Sequence, residues 1–129
     1  KIDDAMALQA VSAGRRIGVM ATVPTTLEPT CKLIQDKAND AGKKIVINRC
    51  LVDGAFNCLM GGSKDQHDEM VFDAGSKLAE NVDVISFAQA SMTRLAPQME
   101  KLTGLAVLTS PRIGIEYVSQ VLMGLRKVN

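Results

Sequence analysis

Aromatic residues are scarce in this chain of 129 residues: there is no tryptophan, one tyrosine and three phenylalanines. Proteins that bind single-stranded nucleic acid stack bases on aromatic side chains, and few are present here. The net charge is +1, and the lysines and arginines are spread along the chain, so they form no basic stripe that could follow a phosphate backbone. We therefore expect no nucleic-acid partner, and a small polar ligand instead.

Residue patterns that bind metals or nucleotides are also lacking. The only histidine, His67, lies in the polar run KDQHDE without a second histidine or a thiol at ligand spacing, so we predict a solvated helix face and no metal. The pair Gly61 and Gly62 follows a predicted helix rather than a strand and lacks the Lys-Ser/Thr of a phosphate loop. Helix termination accounts for this pair, and we expect no cofactor.

The three cysteines, Cys31, Cys50 and Cys58, are odd in number and have no paired spacing, which predicts reduced thiols and a cytoplasmic location. Cys31 and Cys58 lie in predicted helices with apolar neighbours, and Cys50 comes just after a predicted strand, so we interpret all three as packing residues. No apolar run approaches the length that spans a bilayer, and the chain does not begin like a secretion signal. We expect no membrane partner.

Short apolar runs alternate with segments of helical periodicity along the whole chain. The predicted strands are residues 15–21, 44–48, 83–87 and 105–108, and the predicted helices are residues 2–13, 27–41, 53–60, 63–80, 92–102 and 111–126. Strands that are apolar throughout and separated by helices are typical of a parallel sheet covered on both faces. The predicted fold class is therefore doubly wound α/β, with helices on both faces of a four-stranded parallel sheet.

Two loops lie where such sheets bind ligands, beyond the carboxyl ends of the strands. In the first loop, Thr22, Thr25 and Thr26 offer hydroxyls and backbone N–H groups before a helix, an arrangement that favours anions. The alternative is a capping box of Thr25 and Glu28, with Pro29 in the first helical turn.

The second loop follows the third predicted strand and contains Gln89, Ala90 and Ser91, two small residues and one amide, before a helix. Its alternative interpretation is that Ser91 simply caps that helix. For either loop alone, capping is the better interpretation. Together they predict a site for a small carboxylate.

The segments IGVMATVPTT (residues 17–26) and DVISFAQASM (83–92) resemble the second-domain signatures of the aspartate/glutamate/hydantoin racemase superfamily. DGAFNCLMGGSKDQHDEMV (53–71) is similar to the segment between them, and VLTSPRIGIEYV (107–118) to the closing strand and helix. The resemblance implies two similar α/β domains of flavodoxin-like type with the active site between them. We therefore interpret residues 1–129 as one domain, the C-terminal portion of a longer enzyme. A boundary is suspected near Thr103 and Gly104, with residues 105–129 packing on the other domain.

The resemblance also implies cofactor-independent proton exchange, with one cysteine from each domain on opposite sides of the substrate's α-carbon. In this sequence Gln89 stands where the second-domain cysteine is expected, and Ala88 replaces the glycine before it. A glutamine side chain has no titratable proton near neutral pH. Racemisation by two thiols is therefore not expected of this domain.

The expected activity of the parent enzyme is racemisation, isomerisation or decarboxylation next to the carboxylate or carbonyl of a small amino acid, hydantoin or related acid. Thr22, Thr25 and Ser91 would bind the oxyanion, and Gln89 would orient the substrate or a water. In the closing helix, Arg112 and Tyr117 are interpreted as surface or interface residues, with contact to the substrate as the alternative.

A non-catalytic module that binds a small carboxylate is the alternative to an enzyme. The 129-residue chain alone is expected to be inactive, because the base would come from the other domain. An uncovered half-site exposes apolar surface, and exposed apolar patches are commonly buried by association. We therefore expect a homo-oligomer, with the terminal helix exchanged between chains.

Overall fold

A computed structural model describes residues 2–109. The strands are β1 (Arg16–Ala21), β2 (Val46–Leu51), β3 (Val84–Phe87) and β4 (Val107–Thr109), and the helices are α1 (Ile2–Ala13), α2 (Pro24–Asp40), α3 (Ala55–Met60), α4 (Lys64–Leu78) and α5 (Ala96–Thr103). Two 3₁₀ helices, Ala79–Asn81 and Ala90–Leu95, flank β3. All strand pairs are parallel, in the order β2-β1-β3-β4, which confirms the predicted fold class.

Side chains alternate between the two faces of the sheet and form two separate apolar layers. Ile17 and Val19 of β1 belong to the layer that includes α1 and α2, whereas Met20 and Phe87 belong to the layer that includes α4 and α5. Every residue of β3 is buried, as expected of a central parallel strand covered on both faces. The helices that connect the strands lie on both faces of the sheet. Since β1 and β3 are parallel neighbours, their carboxyl ends lie side by side.

Strand β2 lies further along the chain than predicted. The prediction ended at residue 48, but the strand runs to Leu51, and Cys50 pairs with Met20 inside the sheet instead of following it. β2 is an edge strand, and its residues are only partly covered, so the polar Asn48 and Arg49 are tolerated there. Because the prediction relied on apolar runs, it ended the strand at these polar residues.

The start of α2 also differs from the prediction. The helix begins at Pro24, and its N-cap is Val23, which makes no side-chain capping bond, so the capping box of Thr25 and Glu28 is wrong. Proline suits the first helical turn, where its missing N–H is not needed. Pro24 takes that role, and Pro29, which was expected in the first turn, lies inside the helix.

The predicted helix 92–102 is divided into a 3₁₀ helix and α5. The Ala96 N–H donates to the Thr93 carbonyl, a 3₁₀-type bond. Pro97 has no N–H with which to make the α-helical bond to that carbonyl. Ser91 lies inside the 3₁₀ helix, and Gln89 is its N-cap, so the prediction that Ser91 caps this helix is wrong.

Gly61 ends α3, which confirms helix termination at the glycine pair. The predicted helix 111–126, with Arg112 and Tyr117, lies outside the described residues. Within residues 2–109, no helix combines the length and apolar character that crossing a membrane requires.

Candidate functional site

The two predicted loops meet at the carboxyl edge of the sheet. Met20 and Phe87 are paired neighbours on β1 and β3, so the residues that follow them leave the sheet side by side. The Gln89 Oε1 accepts hydrogen bonds from the backbone N–H groups of Thr22 and Val23, the latter at 3.0 Å. The Gln89 Nε2 donates to the Thr22 Oγ1 at 2.8 Å and to the Ser91 Oγ at 3.3 Å. We call Thr22, Val23, Gln89 and Ser91 the Thr22–Gln89 node.

The node is buried: Thr22 is 5% exposed and Gln89 is 9% exposed. Its two N–H groups converge on one oxygen just before the first turn of α2, a helix of 17 residues. Paired backbone donors at a helix N-terminus are the kind of arrangement that holds carboxylates and oxyanions in proteins. In this structure the oxygen that they hold is the carboxamide oxygen of Gln89.

The other predicted site residues lie around the node. Thr26 donates a hydrogen bond from its Oγ1 to the Val23 carbonyl at 3.2 Å, which holds the turn between β1 and α2. Thr25 is exposed in the first turn of α2, and Ala90 is the first residue of the 3₁₀ helix. The structure thus joins Thr22, Gln89 and Ser91 directly and leaves Thr25 at the surface. The sequence offered no sign that the Val23 N–H also points at Gln89.

The thiols of Cys31 and Cys50 have no activated character. Burial raises the pKa of both, so each stays protonated at neutral pH, whereas a nucleophilic or basic cysteine needs a lowered pKa. Cys31 is buried in the layer of α1 and α2, as predicted for a packing residue. Cys58, on α3, lies with its Sγ 3.9 Å from the Met70 Sδ.

The prediction of a solvated face at His67 is wrong. His67 is fully buried, because it shares a stripe on α4 with Val71 and Gly75, which are also buried. The sequence shows this spacing of four residues, but the prediction gave more weight to the charged residues around His67. The His67 Nδ1 lies 2.9 Å from the Asp68 Oδ1, and its Nε2 is buried with no hydrogen-bond partner among residues 2–109.

Asp68 connects His67 to the segment that carries the node. Its two carboxylate oxygens accept hydrogen bonds from both terminal nitrogens of Arg94, at 2.8 and 2.7 Å. The Arg94 guanidinium, together with His67, lowers the pKa of Asp68 to about 2. Asp68 is therefore a carboxylate at neutral pH, and it bridges α4 to the 3₁₀ helix that begins one residue after Gln89. In the part of the chain that the structure describes, no cluster of three His, Cys, Asp or Glu side chains could hold a metal ion.

Similar solved structures support the family resemblance at the level of fold. An allantoin racemase from Pseudomonas fluorescens superimposes with a TM-score of 0.62 and 17% identity, over 95% of this chain and 51% of that one. A glutamate racemase from Bacillus anthracis superimposes with a TM-score of 0.63 and 16% identity, over 95% of this chain and 48% of that one. No family model and no curated protein sequence matches the chain. The chain has the α/β fold of these racemases and spans about half the length of each.

Proposed function

We propose that this chain is the carboxylate-holding half of a racemase-fold enzyme that acts at the carbon next to the carboxylate or carbonyl of a small amino acid, hydantoin or related acid. Two features support the proposal. The fold matches about half of an allantoin racemase and half of a glutamate racemase. The Thr22–Gln89 node, at the carboxyl edge where such sheets bind ligands, already holds an oxygen between two backbone N–H groups.

The observation that supports the proposal most directly is that the Thr22 and Val23 N–H groups converge on one oxygen. A substrate carboxylate would take the place of the Gln89 Oε1, and the displaced carboxamide would donate to the ligand instead. When a proton leaves the carbon next to a carboxylate, negative charge develops on the carboxylate oxygens. Fixed donors aimed at that charge stabilise it, which lowers the barrier to proton removal.

Proton transfer itself needs groups other than the node. Gln89 has no titratable proton, and the thiols of Cys31 and Cys50 are held protonated by burial. One proton-transferring group is therefore assigned to the other half of the enzyme. Racemisation, isomerisation and decarboxylation all pass through the same enolate-type intermediate, and the substrate decides between them.

Exchange of the α-proton with deuterated solvent tests this proposal. The full-length protein is incubated with a panel of amino acids, hydantoins and malonates, and deuterium incorporation is followed by mass spectrometry. The variant Thr22→Val, which keeps the side-chain shape and loses the hydroxyl bonded to Gln89, is the matched comparison, and we expect it to exchange more slowly. Absence of exchange and turnover with every compound would count against an enzyme.

A non-catalytic carboxylate-binding module is the second candidate function. It is favoured by one observation: no side chain of the node carries a titratable proton, and both the amide oxygen and the amide nitrogen of Gln89 are hydrogen bonded. Calorimetry with small dicarboxylates distinguishes the two functions. Tight binding without exchange or turnover would favour the module.

A further inference from the structure

A groove lies between α1 and β4, on the opposite face of the sheet from α4 and α5. Its lining residues are Leu8, Gln9, Ser12, Ala13, Ala106 and Leu108. None of these side chains carries a charge, and Leu8 is 53% exposed. We call this feature the α1–β4 groove. It is an uncharged and largely apolar concave surface, separate from the residues of the Thr22–Gln89 node.

The two faces of β4 are covered unequally. Val107 belongs to the layer of α4 and α5 and is 3% exposed. Its neighbours Ala106 and Leu108 line the groove on the opposite face, where Leu108 is only half-buried and Ala106 is exposed. Parallel strands are normally covered by helices on both faces. The face of β4 towards α1 therefore lacks part of the cover that the face towards α5 has.

The segment that follows β4 has the residue pattern of a covering helix. In the predicted helix 111–126, apolar residues recur at the spacing of one helix face. They are Ile113, Tyr117, Val118, Val121, Leu122 and Leu125. The polar residues Arg112, Glu116 and Ser119 fall on the other face. A helix with this pattern needs an apolar surface on which to bury its apolar face.

The length and direction of the groove suit this helix. α1 has 12 residues and is about 18 Å long, and a helix over residues 111–126 would be about 24 Å long. α1 ends just before β1 begins, so it runs towards the amino edge of the sheet. A helix that starts where β4 ends, at the carboxyl edge, would run the same way and lie side by side with α1. It would therefore cover the groove along its whole length.

We propose that residues 111–126 of the same chain dock in the α1–β4 groove, with their apolar face against Leu8 and Leu108. The docked segment adds a third helix to the layer of α1 and α2 and completes the cover of β4. Removal of apolar surface from water, on the segment and in the groove together, drives the docking.

The connection to β4 favours the same chain as the source of the segment. The sequence alone suggested that the terminal helix is exchanged between chains and that residues 105–129 pack on the other domain. However, Ser110 is the only residue between β4 and the predicted helix, so the helix is held beside its own groove at a high effective concentration. A second copy would have to displace it. Val46 and Leu102 are exposed outside the groove and stay available for self-association.

Hydrogen exchange of the 129-residue protein, followed by mass spectrometry, tests the proposal. Leu8→Asp places a charge in the groove, and the matched control is Leu102→Asp, at a leucine of similar exposure on α5 (53% and 55%). We expect the amides of residues 113–125 to exchange at least about tenfold more slowly in the wild type than in Leu8→Asp. Leu102→Asp should keep the protection of the wild type. The amides of β1 and β3 should stay protected in all three proteins, which shows that each is folded.

A second pair of variants changes the segment instead of the groove. Val121→Asp, on the predicted apolar face, should lose the protection, and Ser119→Asp, on the other face, should keep it. Dilution of the wild type should leave the protection unchanged, because docking within one chain does not depend on protein concentration.

Four results would overturn the proposal. Absence of protection in the wild type would show that the segment does not dock. Protection that survives Leu8→Asp would show that it docks elsewhere. Equal effects within either pair of variants would contradict a specific contact between the segment and the groove. Protection that falls on dilution would assign the groove to the segment of a second copy.

Discussion

At the scale of single residues, Gln89 holds the two site loops together by three hydrogen bonds to Thr22 and Val23, and a fourth bond joins it to Ser91 in its own loop. The sequence pointed to Thr22, Gln89 and Ser91, because polar residues that follow two buried parallel strands come together at one edge of the sheet. It could not reveal the Val23 N–H, since every residue but proline has one. It also misplaced His67, because the burial of one histidine depends on packing and not on its charged neighbours.

Replacement of Gln89 by alanine should destabilise the fold. The N–H groups of Thr22 and Val23 lose their acceptor, and a buried donor left unpaired costs about 1–3 kcal/mol in free energy of unfolding. Urea denaturation measures this loss. Added malonate should recover part of it, because a ligand that binds only the folded state stabilises that state.

The matched control is Gln89→Met, which loses the same acceptor but fills the space with an apolar side chain. We expect similar destabilisation in water and no recovery with malonate. Equal recovery in both variants would show that malonate acts elsewhere on the protein.

Asp68 should make the protein sensitive to acid. Its pKa is about 2 in the folded state, below the ordinary value of 3.8, so the folded state binds its proton less readily than the unfolded state. The stabilisation is fully present above about pH 4 and is lost as the pH falls towards 2. The difference in free energy of unfolding between the wild type and Asp68→Asn should therefore be larger at pH 6 than at pH 2.5.

The control for this acid effect is Asp36→Asn, which removes an exposed ion pair with Lys32 on the surface of α2. Exposed pairs contribute little to stability, so this variant should follow the wild type at both pH values. A constant difference between the wild type and Asp68→Asn across the pH range would contradict the assigned network of Arg94, Asp68 and His67.

At the scale of elements, central strands were easier to predict than the edge. β1 and β3 are covered on both faces and therefore read as continuous apolar runs, and their predicted positions are confirmed within one residue. β2 has one free edge and partly exposed side chains, so its polar residues broke the pattern. The start of α2 was predicted three residues late, because Pro24 was interpreted as part of a turn and not as the first helical residue.

The contact between α4 and β1 depends on a glycine. A Cβ at Gly18 would lie 2.7 Å from the Leu78 Cδ2 and 3.0 Å from its Cγ, so a side chain at position 18 would press on Leu78, the last residue of α4. We expect Gly18→Ala to lower the free energy of unfolding by about 1–3 kcal/mol through overpacking.

A double-mutant cycle with Leu78→Ala checks the origin of this cost. In the Leu78→Ala background the space is open, and Gly18→Ala should cost much less than in the wild type. The same cost in both backgrounds would mean that the strain comes from something other than Leu78.

At the scale of the whole molecule, the described chain is an α/β unit with the fold of about half of an allantoin racemase and half of a glutamate racemase. The sequence predicted the α/β fold from apolar runs that alternate with helical segments, and the segments at residues 17–26 and 83–92 carried the resemblance to the racemases. The identity of the substrate could not be predicted from the sequence. Backbone N–H groups hold any small carboxylate oxygen, and specificity requires side chains that contact the rest of the ligand.

Self-association remains a prediction. Several large apolar side chains are exposed in the described chain, among them Leu8 at 53%, Val46 at 59% and Leu102 at 55%. Exposed apolar surface is commonly buried by association, and we expect a dimer or larger assembly. Sedimentation velocity at micromolar concentration should show it, and a clean monomer would contradict it.

The central claim is that the Thr22 and Val23 N–H groups hold the carboxylate of a small ligand in place of the Gln89 Oε1. The most direct test is an amide chemical-shift titration of the wild type and of Gln89→Ala with malonate. We predict saturable shifts at Thr22 and Val23 in both proteins, with the tighter binding in Gln89→Ala, since no carboxamide has to be displaced there. Unchanged amides in both proteins at high malonate concentration would contradict the claim.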